Sequence, residues 1–335
     1  MTRRHTRRQL VQGAGAVSLG LLVGCGRLPG QGQPPPPKVP TIGYLVPGLP
    51  DPTIDGQLDA FRDALAALGY AEGQNVAIER RYTDGSDAQL REAATDLVRH
   101  EVNVLVVRGT AGVLAAKGAT HTTPIVFANA GDPVASGLVA SLARPGGNAT
   151  GVSSIVPQLS GKRLELLGQV VPGLQRVAFL WDPRSSASSV SEMQAASTAL
   201  GLRLQVLEIR DAADVEAAFA AAGADHADAL LTAGGSTGRH SARIVSLAAS
   251  RRLPTMYQWP RVVHEGGLMS YGVNELDQFR RAATYVDKIL KGAQPADLPV
   301  EQPMVFDFVV NMKTARELGI TFPHDVALQI TEMIE

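Results

Sequence analysis

From Thr41 onward, short apolar runs alternate with stretches in which apolar residues recur at helical spacing. TIGYLV (41–46) precedes a helical pattern over 55–68, NVAIERR (75–81) one over 87–100, and VNVLVV (102–107) one over 111–118, before PIVFAN (124–129). Such runs are the pattern of strands buried on both faces, and the helices between them imply right-handed βαβ crossovers in a parallel sheet. The pattern then starts again. RVAFLW (176–181), LRLQVLEI (202–209), ADALLTA (227–233) and PTMY (254–257) each sit beside a helical segment, and a helix over 275–291, PVEQPMVFDFVVN (299–311) and a last helix close the chain.

The two halves also agree in detail. VNVLVVRGTAG (102–112) matches ADALLTAGGSTG (227–238), TPIVFANAGDP (123–133) matches LPTMYQWP (253–260), and GGNATGVSS (146–154) matches GGLMSYGVN (266–274). The pattern predicts an α/β fold of two Rossmann-like lobes with parallel sheets joined by a multi-strand hinge. Lobe I spans 41–153 and is completed by about 274–320, lobe II spans 154–273, and 321–335 forms a C-terminal segment beside the hinge. Crossings near 152–157, 271–274 and 296–303 would let two rigid lobes close on a ligand.

The first forty residues have a different pattern. Arg3, Arg4, Arg7 and Arg8 precede fifteen uncharged residues from Leu10 to Gly24, too short to span a bilayer but the right length for an export signal. The run ends Leu22-Val23-Gly24-Cys25, which resembles a bacterial lipobox, and Cys25 is the single cysteine of the chain. Residues 1–24 are therefore read as a signal peptide, Cys25 as the lipidated residue, and 25–40, with PPPP at 34–37, as an extended tether. A plain secretory signal with Cys25 incidental is the alternative. Thr6-Arg7-Arg8-Gln9-Leu10 resembles a twin-arginine motif, so that route stands beside general secretion.

Composition narrows the classes. The chain has 335 residues, 45% hydrophobic and 19% charged, values that exclude a disordered chain, a coiled coil or a polytopic membrane protein. Its net charge of -1 gives no footprint for nucleic acid. Without the four leader arginines, 27 of the 31 basic residues remain against 32 acidic ones, a body at -5.

Motifs of catalysis and cofactor binding are scarce. Gly43 to Gly48 lacks the GxGxxG spacing, no GxxxxGK[ST] occurs, and the seven histidines show no metal-binding spacing, so neither cofactor nor metal is expected. Gly234-Gly235-Ser236-Thr237-Gly238 satisfies G-x-S-x-G, which keeps an exported serine hydrolase using Ser236 as an alternative. A second reading of that turn is a helix N-terminus offering N–H groups to an anion.

In open α/β sheets ligands bind beyond the carboxyl ends of the strands. The ligand-binding candidates are accordingly Pro47, Gly48, Thr110, Ala111, Asn129 and Asp132 in the first lobe, and Trp181, Asp182, Gly234, Ser236, Tyr257, Tyr271 and Asn274 in the second. Thr110 suits a ligand carboxylate and Asp132 a ligand ammonium, or a cap before Pro133. Trp181, Tyr257 and Tyr271 either sandwich an apolar ligand or close the lobe's core.

Several segments together carry a family likeness. IGYLVPG, FRDALAALGYAEGQNVAIERRYTDG, TTPIVFANAGDPVASGLVASLARPGGNATGVSS, GKRLELL, RRAATYVDKILKGAQPADLPVEQP and NMKTARELGI resemble the ABC-transporter substrate-binding lipoproteins related to tryptophan/tyrosine-binding proteins. The resemblance covers Thr41 to Glu335. It implies a type I periplasmic-binding-protein fold and no enzymatic activity. The expected function is extracytoplasmic binding of a small organic solute, an amino acid and in some relatives an aromatic one. Delivery would be to an ABC permease driven by its ATPase subunit, by a monomer anchored to the bacterial membrane through Cys25 and facing the periplasm or exterior. Thr110 and Asp132 match the family's GT and GDPV segments, while Ala130 stands where the family commonly has Val. A ligand sensor for an extracytoplasmic signalling partner is the alternative within the same fold.

Overall fold

The computed structural model describes residues 39–48, 50, 52–154, 157–183 and 188–335. The expected signal peptide, Cys25 and the tether up to residue 38 lie outside the described residues. Residues 39–335 pack as one unit, in which two sheets form two lobes.

The first sheet holds β1 (Thr41–Pro47), β2 (Ala77–Thr83), β3 (Val104–Arg108), β4 (Ile125–Ala130) and β5 (Ala149–Ser153), all parallel, in the order β2-β1-β3-β4-β5. Helices α1 (Pro52–Ala67), α2 (Asp87–Arg99) and α3 (Gly109–Ala119) cover it. Alternate residues of β1 serve opposite faces: Ile42, Tyr44 and Val46 join Phe61 and Leu65 of α1, while Leu45 joins Leu90 and Leu97 of α2. This two-sided burial explains the unbroken apolar runs. Ser86 caps α2 by accepting from the Gln89 N–H, and Asp87 and Arg99 in its first and last turns match the helix dipole.

The second sheet holds β6 (Arg176–Trp181), β7 (Arg203–Glu208), β8 (Ala229–Ala233), β9 (Thr255–Tyr257), β10 (Met269–Val273), β11 (Phe306–Asn311) and β12 (Glu332–Ile334). Its order is β12-β11-β10-β9-β8-β6-β7. The remaining helices are α4 (Pro157–Val170), α5 (Ser188–Ala199), α6 (Ala212–Ala224), α7 (Gly235–Arg239), α8 (Ser241–Ser250), α9 (Pro260–His264), α10 (Glu275–Leu290), α11 (Met312–Leu318) and α12 (His324–Ala327). Residues of α4 and α5 pack with Phe179 and Leu231 on one face of the sheet, and residues of α6 and α8 with Leu180 and Leu230 on the other.

One expectation about the late chain is corrected. The segment 274–320 was expected to complete the first lobe, yet only its first part does so: Phe279, Ala282, Tyr285 and Val286 of α10 share a core with α1 and the first sheet. Residues 298–301 then line the β5 edge, where Glu301 exchanges backbone hydrogen bonds with Gly151 and Ser153 at 3.0 and 2.9 Å. The pairing stops there, because Pro299 and Pro303 on either side have no N–H to give. The chain instead crosses back, and β11 pairs antiparallel with β10, from Met269 opposite Val310 to Val273 opposite Phe306. Phe308 and Val310 enter the second core. The second sheet is therefore mixed rather than parallel throughout. Residues 321–335, expected beside the hinge, supply α12 and the outer edge strand β12.

Both sheets reverse strand order at one place, between β1 and β3 in the first and between β6 and β8 in the second. Crevices for ligands open at the carboxyl ends of strands at such points.

Candidate functional site

At the first crevice β1 ends in Pro47 and Gly48. Gly48 has φ +146° and donates its N–H to the Thr83 carbonyl at 3.0 Å, so the strand end is folded back onto β2. β3 ends in Arg108, and Gly109, with φ +72°, turns the chain into α3. Thr110 Oγ1 accepts from the Gly131 N–H at 3.0 Å, joining the loops that follow β3 and β4, and Ala111 beside it is exposed.

A bulge in β4 between Phe127 and Ala130 throws Asn129 into the left-handed region, φ +57°. Only glycine fits at Gly151 opposite, where a Cβ would collide with the Phe127 carbonyl. The bulge aims Asn129 Nδ2 at Glu275 Oε1, 2.7 Å away. Glu275 is the first residue of α10, directly after the Asn274 crossing. Its other oxygen accepts from Gln57 Nε2 at 2.5 Å and Arg108 Nη2 at 3.4 Å. Three donors from α1, β3 and β4 thus converge on one carboxylate at the strand ends. Around it the Tyr44 hydroxyl, Gln57 Oε1 and Arg108 Nε are buried without a hydrogen-bond partner among the described residues. Gln57, Arg108 and Glu275 were not among the residues expected from sequence. Arg108 had a signal, a cation ending the apolar run VLVVR; Gln57 had none.

Asp132 lies at the mouth. Its Oδ1 accepts from the N–H groups of Val134 and Ala135, each at 3.0 Å, so it caps a run of turns rather than a helix. Glu192 of α5, in the other lobe, lies within reach of its charge. Burial, and then the Asp132 carboxylate, push the Glu192 carboxyl above its usual range. Glu192 Oε2 is also buried without a partner.

The second crevice is filled by the protein's own groups. Asp182 is buried and its Oδ2 accepts from the Ser236 N–H at 2.8 Å, while Gln258 Oε1 accepts from the Gly234 N–H at 2.8 Å. The turn that was expected to offer N–H groups to an anion has therefore committed these two internally. Ser236 is 0% exposed, with its hydroxyl between the Arg210 carbonyl and Arg239 Nη2. A nucleophile needs access to substrate and a histidine base; Ser236 has neither among these contacts, and the hydrolase alternative is rejected.

The aromatic candidates close cores. Trp181 and Tyr257 are 9% and 3% exposed and belong to the two hydrophobic clusters of the second lobe. Tyr271 stacks on Phe306 of the neighbouring strand, ring centroids 6.0 Å apart. Asn274 caps α10 by accepting from the Asp277 N–H at 2.7 Å, and its amide donates to Asp307 at 2.9 Å, fastening two crossings together. Burial raises the Asp307 carboxyl, an effect partly offset by that hydrogen bond. Arg163 of α4 is 1% exposed, donates Nε to the Tyr271 carbonyl at 2.6 Å, and is drawn down to about 10 by burial. It remains a cation at neutral pH.

The two-lobed α/β architecture with crevices at the strand ends defines a solute-binding protein of the type I periplasmic-binding-protein fold. Residues 46–334 match the family model described as ABC transporter substrate binding protein, and the chain belongs to that family, a non-enzymatic component of transport. It is 24% identical over 316 residues to a tyrosine-binding protein of Clostridioides difficile, covering 92% of this chain and 90% of the relative. A solved structure from Streptococcus pneumoniae, in complex with L-Trp, matches with TM-score 0.79 and 26% identity over 88% of this chain and 99% of that one. The ligand-free, open structure of a substrate binding protein with adhesive properties from Clostridium difficile has the same fold, with TM-score 0.72 and 23% identity over 88% of this chain and 99% of that one.

Proposed function

We propose that this chain is the extracytoplasmic receptor of an ABC importer for an amino acid, with aromatic amino acids the leading candidates, and that it hands the solute to a permease coupled to an ATPase. The observation that carries the reading is the crevice at the carboxyl ends of β3 and β4, where side chains of Gln57, Arg108 and Asn129 converge on the Glu275 carboxylate beside buried polar atoms that lack a partner among the described residues. The tyrosine-binding relative and the tryptophan-bound structure support an amino acid. On this reading Cys25 carries the lipid that holds the receptor at the membrane.

Closure is a population shift: a solute that touches both lobes binds the closed form better and draws the chain into it. Binding to the folded state alone stabilises by about 2.7 kcal/mol at a hundredfold excess over Kd. Thermal melts of ligand-stripped protein with single amino acids should therefore show a rise of several degrees with L-tyrosine or L-tryptophan. A full amino-acid panel that leaves the melting temperature unchanged refutes the assignment.

A further inference from the structure

We propose that Arg108 and Glu275 form a two-headed anchor for a zwitterionic solute, the guanidinium receiving its carboxylate and the Glu275 carboxylate receiving its ammonium group. The proposal rests on the receptor reading above and specifies the chemistry of its site.

The donor and acceptor inventory supports it. A carboxylate offers about four lone-pair sites and a guanidinium five N–H donors. Glu275 takes three donors, two on Oε2 and one on Oε1, which leaves a place on Oε1. Among the described residues the Arg108 guanidinium makes one hydrogen bond, to Glu275, and that one is long at 3.4 Å and single rather than bidentate. Its Nε is buried and unpartnered, and so is Oε1 of Gln57, a residue 0% exposed. A buried donor left unmade costs about 1–3 kcal/mol, so this cluster is under-satisfied as it stands. An amino-acid head group carries the complementary set, carboxylate oxygens for the guanidinium and three N–H donors for Glu275.

Position supports it as well. The side chains of Arg108 and Glu275 are 23% and 16% exposed, open on one side at the carboxyl ends of β3 and β4. Asn129 is held at φ +57° with its amide on Glu275, and Gln57 bonds it from α1, so the carboxylate is oriented by two neutral donors besides Arg108. An ion pair formed only for stability has no need of such supports. A site that has to present a carboxylate in one direction does.

The two charges can be tested separately with L-tyrosine, tyramine, which lacks the carboxylate, and 3-(4-hydroxyphenyl)propionate, which lacks the amine. Titration calorimetry on the folded chain would compare wild type with Glu275→Gln and Arg108→Gln. Charged hydrogen bonds are worth about 1.5–3 kcal/mol, which is roughly tenfold or more in affinity. Glu275→Gln should weaken L-tyrosine and tyramine by that factor and leave the propionate unchanged; Arg108→Gln should weaken L-tyrosine and the propionate and spare tyramine. If Arg108→Gln does not fold, Arg108→Lys keeps the charge and should retain the propionate within about threefold. Equal loss of all three probes in both variants, or no loss in either, overturns the anchor while L-tyrosine binding by wild type leaves the receptor reading intact. Wild type that binds no amino acid overturns the receptor reading and the anchor with it.

Discussion

The two crevices are built from matching sequence and end in opposite states. In each lobe a buried strand opens into a turn of small residues, Arg108-Gly109-Thr110 in one and Ala233-Gly234-Gly235-Ser236 in the other. In the second lobe Asp182 from the neighbouring strand accepts from the Ser236 N–H, and Gln258 takes the Gly234 N–H. In the first lobe the neighbouring strand offers Pro47 and Gly48, which have no side-chain donor or acceptor to fill the turn. Charge there comes instead from Arg108 itself and from Glu275 on a distant stretch of chain. The difference teaches that a small-residue turn at a helix start is not in itself a ligand site. What decides is whether an adjacent strand supplies an internal carboxylate.

The contrast can be broken at its strongest point first. Asp182→Ala removes a buried acceptor and leaves the Ser236 N–H without this partner, so stability should fall by about 1–3 kcal/mol in urea titrations. The counterpart in the first lobe, Glu275→Gln, keeps the shape but trades one acceptor oxygen for an NH2 donor that its neighbours cannot donate to; because the side chain is open to water on one side, it should still cost less than Asp182→Ala. A reversed order would mean that the first lobe, not the second, is the internally stabilised one. Ser236→Ala should cost about 1 kcal/mol for its hydroxyl bonds and leave solute binding unchanged; a variant that folds but loses L-tyrosine would return Ser236 to the ligand site.

The smallest effect concerns Glu192. Its carboxyl lies above the usual range in the folded chain, so the folded state holds its proton more tightly than the unfolded state. That contribution is present below the unfolded pKa and is lost as pH rises through the folded one. Glu192→Gln and, through the repulsion it relieves, Asp132→Asn should therefore raise the melting temperature at pH 7. Both differences should vanish below about pH 4, where free glutamate is protonated. A melting difference that is the same at both pH values would show that the two carboxylates do not act on one another's charge.

Much of the fold was legible in the chain because both-face burial produces apolar runs that no amphipathic helix shares. β1, β3, β4, β6, β8 and β9 fall on such runs and β2 and β7 on half-buried ones, whereas β5 (ATGVS) and β10 (MSYGV) lie in the glycine-pair segments that the pattern did not mark as strands. The destination of β11 was not legible. FDFVVN reads as a strand in any setting, and its placement depends on the free edge of β10 and on Pro299 and Pro303 beside β5, which are matters of pairing rather than local pattern. At the site, Asn129 and Asp132 were visible as strand-end residues, whereas Glu275 was not, since only the third dimension carries the start of α10 to the ends of β3 and β4. Trp181 and Tyr257 were strand-end residues too, yet the lobe's core holds them. Side-chain direction at the last residue of a strand separates these cases, and a sequence of one chain does not state it.

Calorimetric titration of L-tyrosine into the ligand-stripped receptor, run beside Glu275→Gln, tests the central claim most directly. The account predicts saturable one-to-one binding by wild type and an affinity about tenfold or more lower in the variant. Wild-type protein that takes up neither L-tyrosine nor L-tryptophan, or a variant that binds as tightly as wild type, would contradict it.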